Sequence, residues 1–272
     1  MEATELRALL GVARKSWKVF LSYKAWFISD ILMGFFFVGN ALLIGLGLTG
    51  KRTSEALERL TGYSDYLTFA ILGFMVLSFG ITFLSGFVWS VVDELYAGTL
   101  EYSFAAPMRR ITFFLGNIIV RLLLNLLYIA IYIPIFWIVF GLSITPSQFL
   151  RALPILLLGS VGMIGLGMAV AGIVLYLKDP GPFINILEML VFALSGAMYP
   201  IDILPKPLQI MAMLLPYAPT TEAVRTIVAH GFRTSLGKIS YLMLLSLLYA
   251  IIGLNSYKWA EKKAREVGLK SY

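Results

Sequence analysis

The stretch from Tyr66 to Val92, YLTFAILGFMVLSFGITFLSGFVWSVV, decides the fold class, because it passes without one Asp, Glu, Lys or Arg. A helix of that length reaches about 40 Å, more than the roughly 30 Å hydrocarbon core of a bilayer. Asp93-Glu94 closes it. Working outward, similar apolar runs cover Trp26–Leu48 (with Asp30 near its start), Ile111–Gly141, Phe149–Leu177 and Ile239–Tyr257. A shorter run starts at Phe183, after the breaker Lys178-Asp179-Pro180-Gly181-Pro182, and ends near Tyr199-Pro200. The reading is an all-α integral membrane protein with six transmembrane helices.

Composition agrees. Of 272 residues, 59% are hydrophobic and 14% charged, against about 25% charged in a soluble domain. So apolar a chain is neither a soluble domain nor disordered. The net charge is +7, and in a membrane protein such an excess orients loops rather than binding nucleic acid. With no cysteine and the single histidine His230, disulfides, thiol nucleophiles and histidine metal sites drop out. No catalytic motif is found, and the reading is not an enzyme. Gly231 to Gly237-Lys238-Ile239 imitates a phosphate loop, but it has five residues between the glycines and Ile239 where Ser or Thr is needed.

Basic residues set the orientation. Thirteen of the 22 Lys and Arg fall on the side of the two termini, eight on the other, and Arg121 inside the third span. Both termini are therefore expected in the cytoplasm of a multi-pass cell-membrane protein. No cleavable signal peptide is expected, since no Ala-x-Ala-like site follows the first apolar run. Residues 1–25 read as an amphipathic interfacial helix, with Leu6, Leu10, Ala13, Trp17 and Phe20 on one face. Such a helix either anchors topology or passes force from a partner. Residues 26–257 form the membrane domain and 258–272 a basic tail.

Polar residues inside spans are the next candidates. Arg121 and Asn125 lie in the third span and Glu188 in the fifth; they either pair or snorkel, or line a polar pathway. Stripes of small residues (Ser78, Thr82, Gly86, Ser90 and Gly162, Gly165, Ala169, Gly172) read as helix packing. Between the fifth and sixth spans, Ile203–Tyr217 is apolar but broken by Pro205, Pro207 and Pro216. It reads as a re-entrant or interfacial element, or else as an ordinary outer loop carrying an apolar helix.

The loop between the second and third spans is the most specific feature. It reads Asp93-Glu94-Leu95-Tyr96-Ala97-Gly98-Thr99-Leu100-Glu101-Tyr102-Ser103-Phe104-Ala105-Ala106-Pro107. Thr99 can cap a short helix that ends before Pro107, placing Leu100 and Phe104 one turn apart beside Glu101. Two apolar knobs with acidic neighbours suit a groove on a soluble partner. The residues Glu94, Gly98, Thr99, Leu100, Glu101 and Pro107 resemble the Glu-x-x-x-Gly-Thr-Leu-Glu…Pro block of ABC-2 type transporter membrane subunits. A second block, Leu194-Ser195-Gly196-Ala197-Met198-Tyr199-Pro200 through Leu215-Pro216 to Thr220-Thr221-Glu222-Ala223 and Arg225, follows that family's order. Tyr102-Ser103-Phe104 departs from the leucines common there.

The resemblance implies the permease subunit of an ATP-driven exporter. It implies a cytoplasmic coupling helix over Gly98–Ala106 and paired short helices near the outer exit over Ile201–Tyr217, with Pro200, Pro205, Pro207 and Pro216 shaping a gate. Partners would be two copies of a separate ABC ATPase subunit, carrying ATP and Mg, and a second copy of this permease or a close paralogue, in a lipid bilayer. This chain itself would hold no cofactor or metal. The alternative is an ion-coupled secondary transporter or channel with no ATPase partner.

Overall fold

The computed structural model describes residues 2–96, 110–141, 144–174, 177 and 180–267. Ten helices follow one another among them: α1 (Glu2–Ser22), α2 (Lys24–Thr49), α3 (Glu55–Thr61), α4 (Tyr66–Tyr96), α5 (Arg110–Phe140), α6 (Pro146–Val174), α7 (Gly181–Leu194), α8 (Lys206–Leu214), α9 (Tyr217–His230) and α10 (Phe232–Val267). No strand occurs among the described residues. Five helices (α2, α4, α5, α6 and α10) are long and apolar enough to cross a bilayer.

The short run becomes α7, with 14 residues and a length of about 21 Å. It runs antiparallel to α4. Ser85 in the half of α4 nearer the termini donates to Glu188 near the middle of α7, while the turn after α7 lays the Ala197 backbone against Gly73. The helix and its turn thus traverse most of the depth of α4, consistent with a sixth crossing.

The core lies around α4, which packs on α2, α5, α6 and α9. Phe69, Phe79, Phe83 and Leu84 of this helix are almost wholly enclosed. α6 and α10 form the most extensive pairing and run parallel, with Gly162 beside Ser246, Gly165 beside Tyr249 and Gly172 beside Ala260. A Cβ at Gly253 would lie 2.1 Å from the Gly165 carbonyl oxygen, so the backbones touch as small residues permit in lipid. The small-residue stripe of the fourth span is therefore a packing seam. The phosphate-loop mimic is helical: Gly231 ends α9 and Gly237 lies within α10.

At the end opposite the termini, Asp65 caps α4. Its carboxylate accepts from Leu67 N at 3.3 Å, Thr68 N at 3.2 Å and the Thr68 hydroxyl at 2.6 Å. Arg52 clasps the same carboxylate at 2.7 and 3.0 Å and donates to the Phe140 and Gly141 carbonyls that end α5. Burial would raise the Asp65 pKa, but hydrogen bonds from Arg52 and Thr68 and the guanidinium charge carry it below its ordinary range.

Candidate functional site

The proline-rich segment folds into a hairpin that dips into the bundle. Pro200 precedes a single 3-10 turn (Ile201–Ile203), Pro205 precedes α8, Pro207 sits in its first turn, and Pro216 precedes α9. Proline is tolerated at each place because a first-turn N–H has no helical acceptor. α8 descends and α9 returns. At the foot, fully buried Tyr217 reaches the Gly80 carbonyl, midway along α4, at 3.1 Å. Thr220 stands against Gly159 midway along α6, and His230 at the top lies by Gly62. The segment is therefore re-entrant. The paired helices extend past Ile201–Tyr217, since the second runs on to His230.

Arg225 holds the hairpin in place. It is 4% exposed. Its guanidinium donates to Gly196 O at 2.7 Å, Ala197 O at 2.8 Å and Phe69 O at 2.9 Å, and its carbon lies 3.4 Å from the Phe69 ring centroid. Tyr63 donates to the Arg225 carbonyl at 2.5 Å. One side chain thus ties α9 to the start of α4 and to the turn after α7. Arginine stays protonated even in a protein interior, so the lock is cationic. Its Nε makes no hydrogen bond. Outside this lock, Glu222 of α9 pairs with Lys238 of α10 at 2.7 Å. Beside that pair, Asp202, Gln209, Met213 and Tyr241 wall a cleft of about 360 Å3.

A second polar group lies inside the membrane, between α4 and α5. Asn125 is 3% exposed and donates to the Thr82 hydroxyl at 2.7 Å and the Ser78 carbonyl at 3.2 Å, while accepting from the Ser78 hydroxyl at 3.3 Å. One turn along, Arg121 lies over Gly86, where a Cβ would meet its Cδ at 2.4 Å. Ser78, Thr82 and Gly86 of the small-residue stripe thus face α5 and serve packing. Glu188 takes its hydrogen bond from Ser85.

The family model for ABC-2 type transporters matches residues 7–229. The chain belongs to the ABC-2 type transporter family. It is an ABC-type transporter permease and a multi-pass membrane protein, a class that generally works with ATPase subunits. No curated protein matches the chain. The match runs from within α1 to the last turn of α9, including the lock at Arg225.

The loop singled out for partner docking lies outside the described residues: Gly98, Thr99, Leu100, Glu101, Phe104, Pro107 and the Glu94 side chain. Its frame is described. α4 runs to Tyr96 and α5 begins at Arg110, and α1 is fastened to the first turns of α5. Thr112 donates to Glu5, Ser16 donates to Asn117 at 2.5 Å, and a Cβ at Gly116 would meet Val12 at 2.8 Å. Of the face of α1 read from the sequence, Leu6, Leu10 and Trp17 stay exposed and are free to rest on lipid, while Ala13 and Phe20 are half-buried, Phe20 against Phe27. Its other side (Leu9, Val12, Ser16) is the one that packs.

Sequence reasoning counted Arg225 among ordinary outer basic residues and missed it as a lock. A signal was present. Tyr217, Thr221, Val224 and Val228 recur at helical spacing on one face, and Arg225 sits beside that face.

Proposed function

We propose that this permease is the membrane-spanning subunit of an ATP-driven exporter, with ATP hydrolysis carried out by a separate subunit docked at residues 98–106. The end bearing α1 then faces the cytoplasm, and two copies of the permease, or one with a close paralogue, form the pathway. The hairpin α8–α9 is the outer gate. The observation that carries this reading is the fastening of α1 onto the first turns of α5, directly after the docking loop. With α4 entering the loop and α5 leaving it, a push on 98–106 is delivered to two membrane helices and to α1 together. Glu94, Leu100 and Glu101 offer the charged and apolar groups that a groove on the ATPase would grip.

The test is Leu100→Arg, together with a charge-reversed Glu94→Lys/Glu101→Lys double variant, in the full chain co-expressed with its ATPase. Both should insert in the membrane as the parent does, while losing co-purification of the ATPase and ATP-driven export. Export at the parental rate would refute the docking role. Transport by the purified chain alone in proteoliposomes, driven by an ion gradient, would instead support the secondary-transporter alternative.

A further inference from the structure

Where α6 and α10 reach the end of the bundle that bears the termini, they leave a groove between them. Ala169, Gly172, Ile173 and Leu177 form one wall and Asn255, Ser256, Trp259 and Ala260 the other, around about 580 Å3. The seam is tight deeper in, at Gly165 and Gly253, and the helices still meet at Gly172, where a Cβ would lie 3.1 Å from that of Ala260; the groove runs beside this contact. Gly172 and Ala169 lie in the last turns of the apolar α6, and Trp259 closes the apolar part of α10. The groove therefore sits at the depth where acyl chains meet headgroups.

Its rim is basic. Lys258, Lys262 and Lys263 are exposed in the helical turns around Trp259. The Lys263 ammonium curls back to 5.0 Å from the Trp259 ring centroid, within cation–π range. Trp259 is itself 63% exposed. An indole at the interface with ammonium groups just beyond it is the arrangement by which helices engage headgroups. Basic pockets between transmembrane helices select anionic ones. An apolar floor, an amide and a hydroxyl at ester depth, and cations above match an amphiphile with a negative head.

We propose that this groove binds an anionic phospholipid. Its acyl chain runs past Ala169 toward the bilayer centre, its ester region passes Asn255 and Ser256, and its phosphate is held by Lys262 and Lys263. The site is separate from the docking loop and from the hairpin, and it stands whichever way the permease is oriented.

The chain has five tryptophans, so a variant with Trp17, Trp26, Trp89 and Trp137 changed to Phe reports from Trp259 alone. Reconstituted in vesicles with brominated phosphatidylglycerol or phosphatidylcholine, Trp259 should be quenched with a roughly tenfold preference for the anionic lipid. Lys262→Gln/Lys263→Gln should bring that preference to about one, and Ala169→Phe, which narrows the acyl end of the groove and spares the lysines, should weaken quenching by both lipids. Added glycerol phosphate should not compete. Equal quenching by both lipids in the parent would overturn the proposal. So would no quenching by either, as protein covering the groove would give, or competition by glycerol phosphate. Should the four-Phe variant fail to fold, native mass spectrometry of the parent permease, the lysine double variant and Ala169→Phe, counting bound phosphatidylglycerol, reads the same preference.

Discussion

Arg225→Met removes the lock while keeping most of the side-chain volume. In the parent, the guanidinium serves the Gly196 and Ala197 carbonyls of the turn after α7, the Phe69 carbonyl of α4 and the Phe69 ring. The methionine leaves both turn carbonyls buried without a donor, at about 1–3 kcal/mol each. Phe69 O lies in the first turns of α4, where the helix's own N–H can still serve it. Loss of the ring contact costs about 1 kcal/mol more. Against this, no charge has to be buried any longer, which returns part of the desolvation cost. The balance is a loss of about 3 kcal/mol, or roughly 150-fold in the equilibrium for opening the turn.

Since the permease has no cysteine, Ser195→Cys makes a single reporter at a fully buried position in that turn. Its labelling by a water-soluble maleimide should be slow in the parental background and about 150-fold faster with Arg225→Met, because modification follows local opening. Arg225→Lys keeps the charge but lacks the planar fork that spans two carbonyls, so its rate should fall between. A rate in both variants within twofold of the parent would refute the argument that Arg225 holds the hairpin to α4 and α7.

Other expectations follow from the packing and from the Arg52–Asp65 clasp. Gly253→Val forces side-chain atoms onto the Gly165 carbonyl and should cost about 3 kcal/mol, read as a fall in the fluorescence-detected thermal midpoint in detergent. A midpoint equal to the parent's would show that the α6–α10 seam can part. Asn125→Leu loses its bonds to Ser78 and Thr82 and should cost only about 1 kcal/mol, as polar contacts between membrane helices do. The Arg52–Asp65 clasp supplies the pH dependence. The folded pKa of Asp65 lies below its ordinary value of 3.8, so its stabilisation is whole above that value and is lost as pH falls through the folded pKa. The parent should therefore destabilise more steeply than Asp65→Asn on acidification below about pH 4, and identical pH profiles would remove the clasp from the account.

The long spans were legible because charges bracket uncharged runs, as Asp93-Glu94 does for α4. Even the shortness of α7 could be read between Pro182 and Pro200. The re-entrant helix α9 was less legible. Thr220, Thr221, Glu222 and Arg225 look like a surface segment, yet Thr220, Thr221 and Arg225 are enclosed. Their polar groups are met by partners distant in sequence, such as Gly196 and Phe69, or by carbonyls of the preceding turn, as Thr221 meets Tyr217 at 3.0 Å. Hydropathy does not register a polar group satisfied in that way. Depth along α4 was likewise not legible: it brings Ser85 to Glu188 and, one residue on, Gly86 to Arg121. In α1 the periodicity found the exposed stripe and passed over Leu9, Val12 and Ser16, which meet a glycine and an asparagine rather than a second apolar ridge.

These contacts meet on one helix. α4 has 31 residues and spans about 46 Å. Near its first turns it receives Arg225 at Phe69 and the turn after α7 at Gly73. At its centre it receives Asn125 at Ser78 and Thr82, and the foot of the hairpin at Gly80. Its other end stops at Tyr96, next to the loop proposed to dock the ATPase. Packed interiors transmit displacement rather than absorb it, so a shift of Tyr96 along the helix axis reaches Gly80 and Phe69 little reduced. Tyr217 and Arg225 would then have to follow or let go, and either event moves the hairpin. A flexible point within α4 that keeps the helical register would weaken that path while leaving the core residues on either side facing as they do. Changing Trp89 and Ser90 to Gly, between the loop and the contacts with Asn125 and the hairpin, should therefore reduce ATP-driven export while ATPase co-purification persists. Export unaffected by the two glycines would mean that the motion travels by α1 and α5 instead.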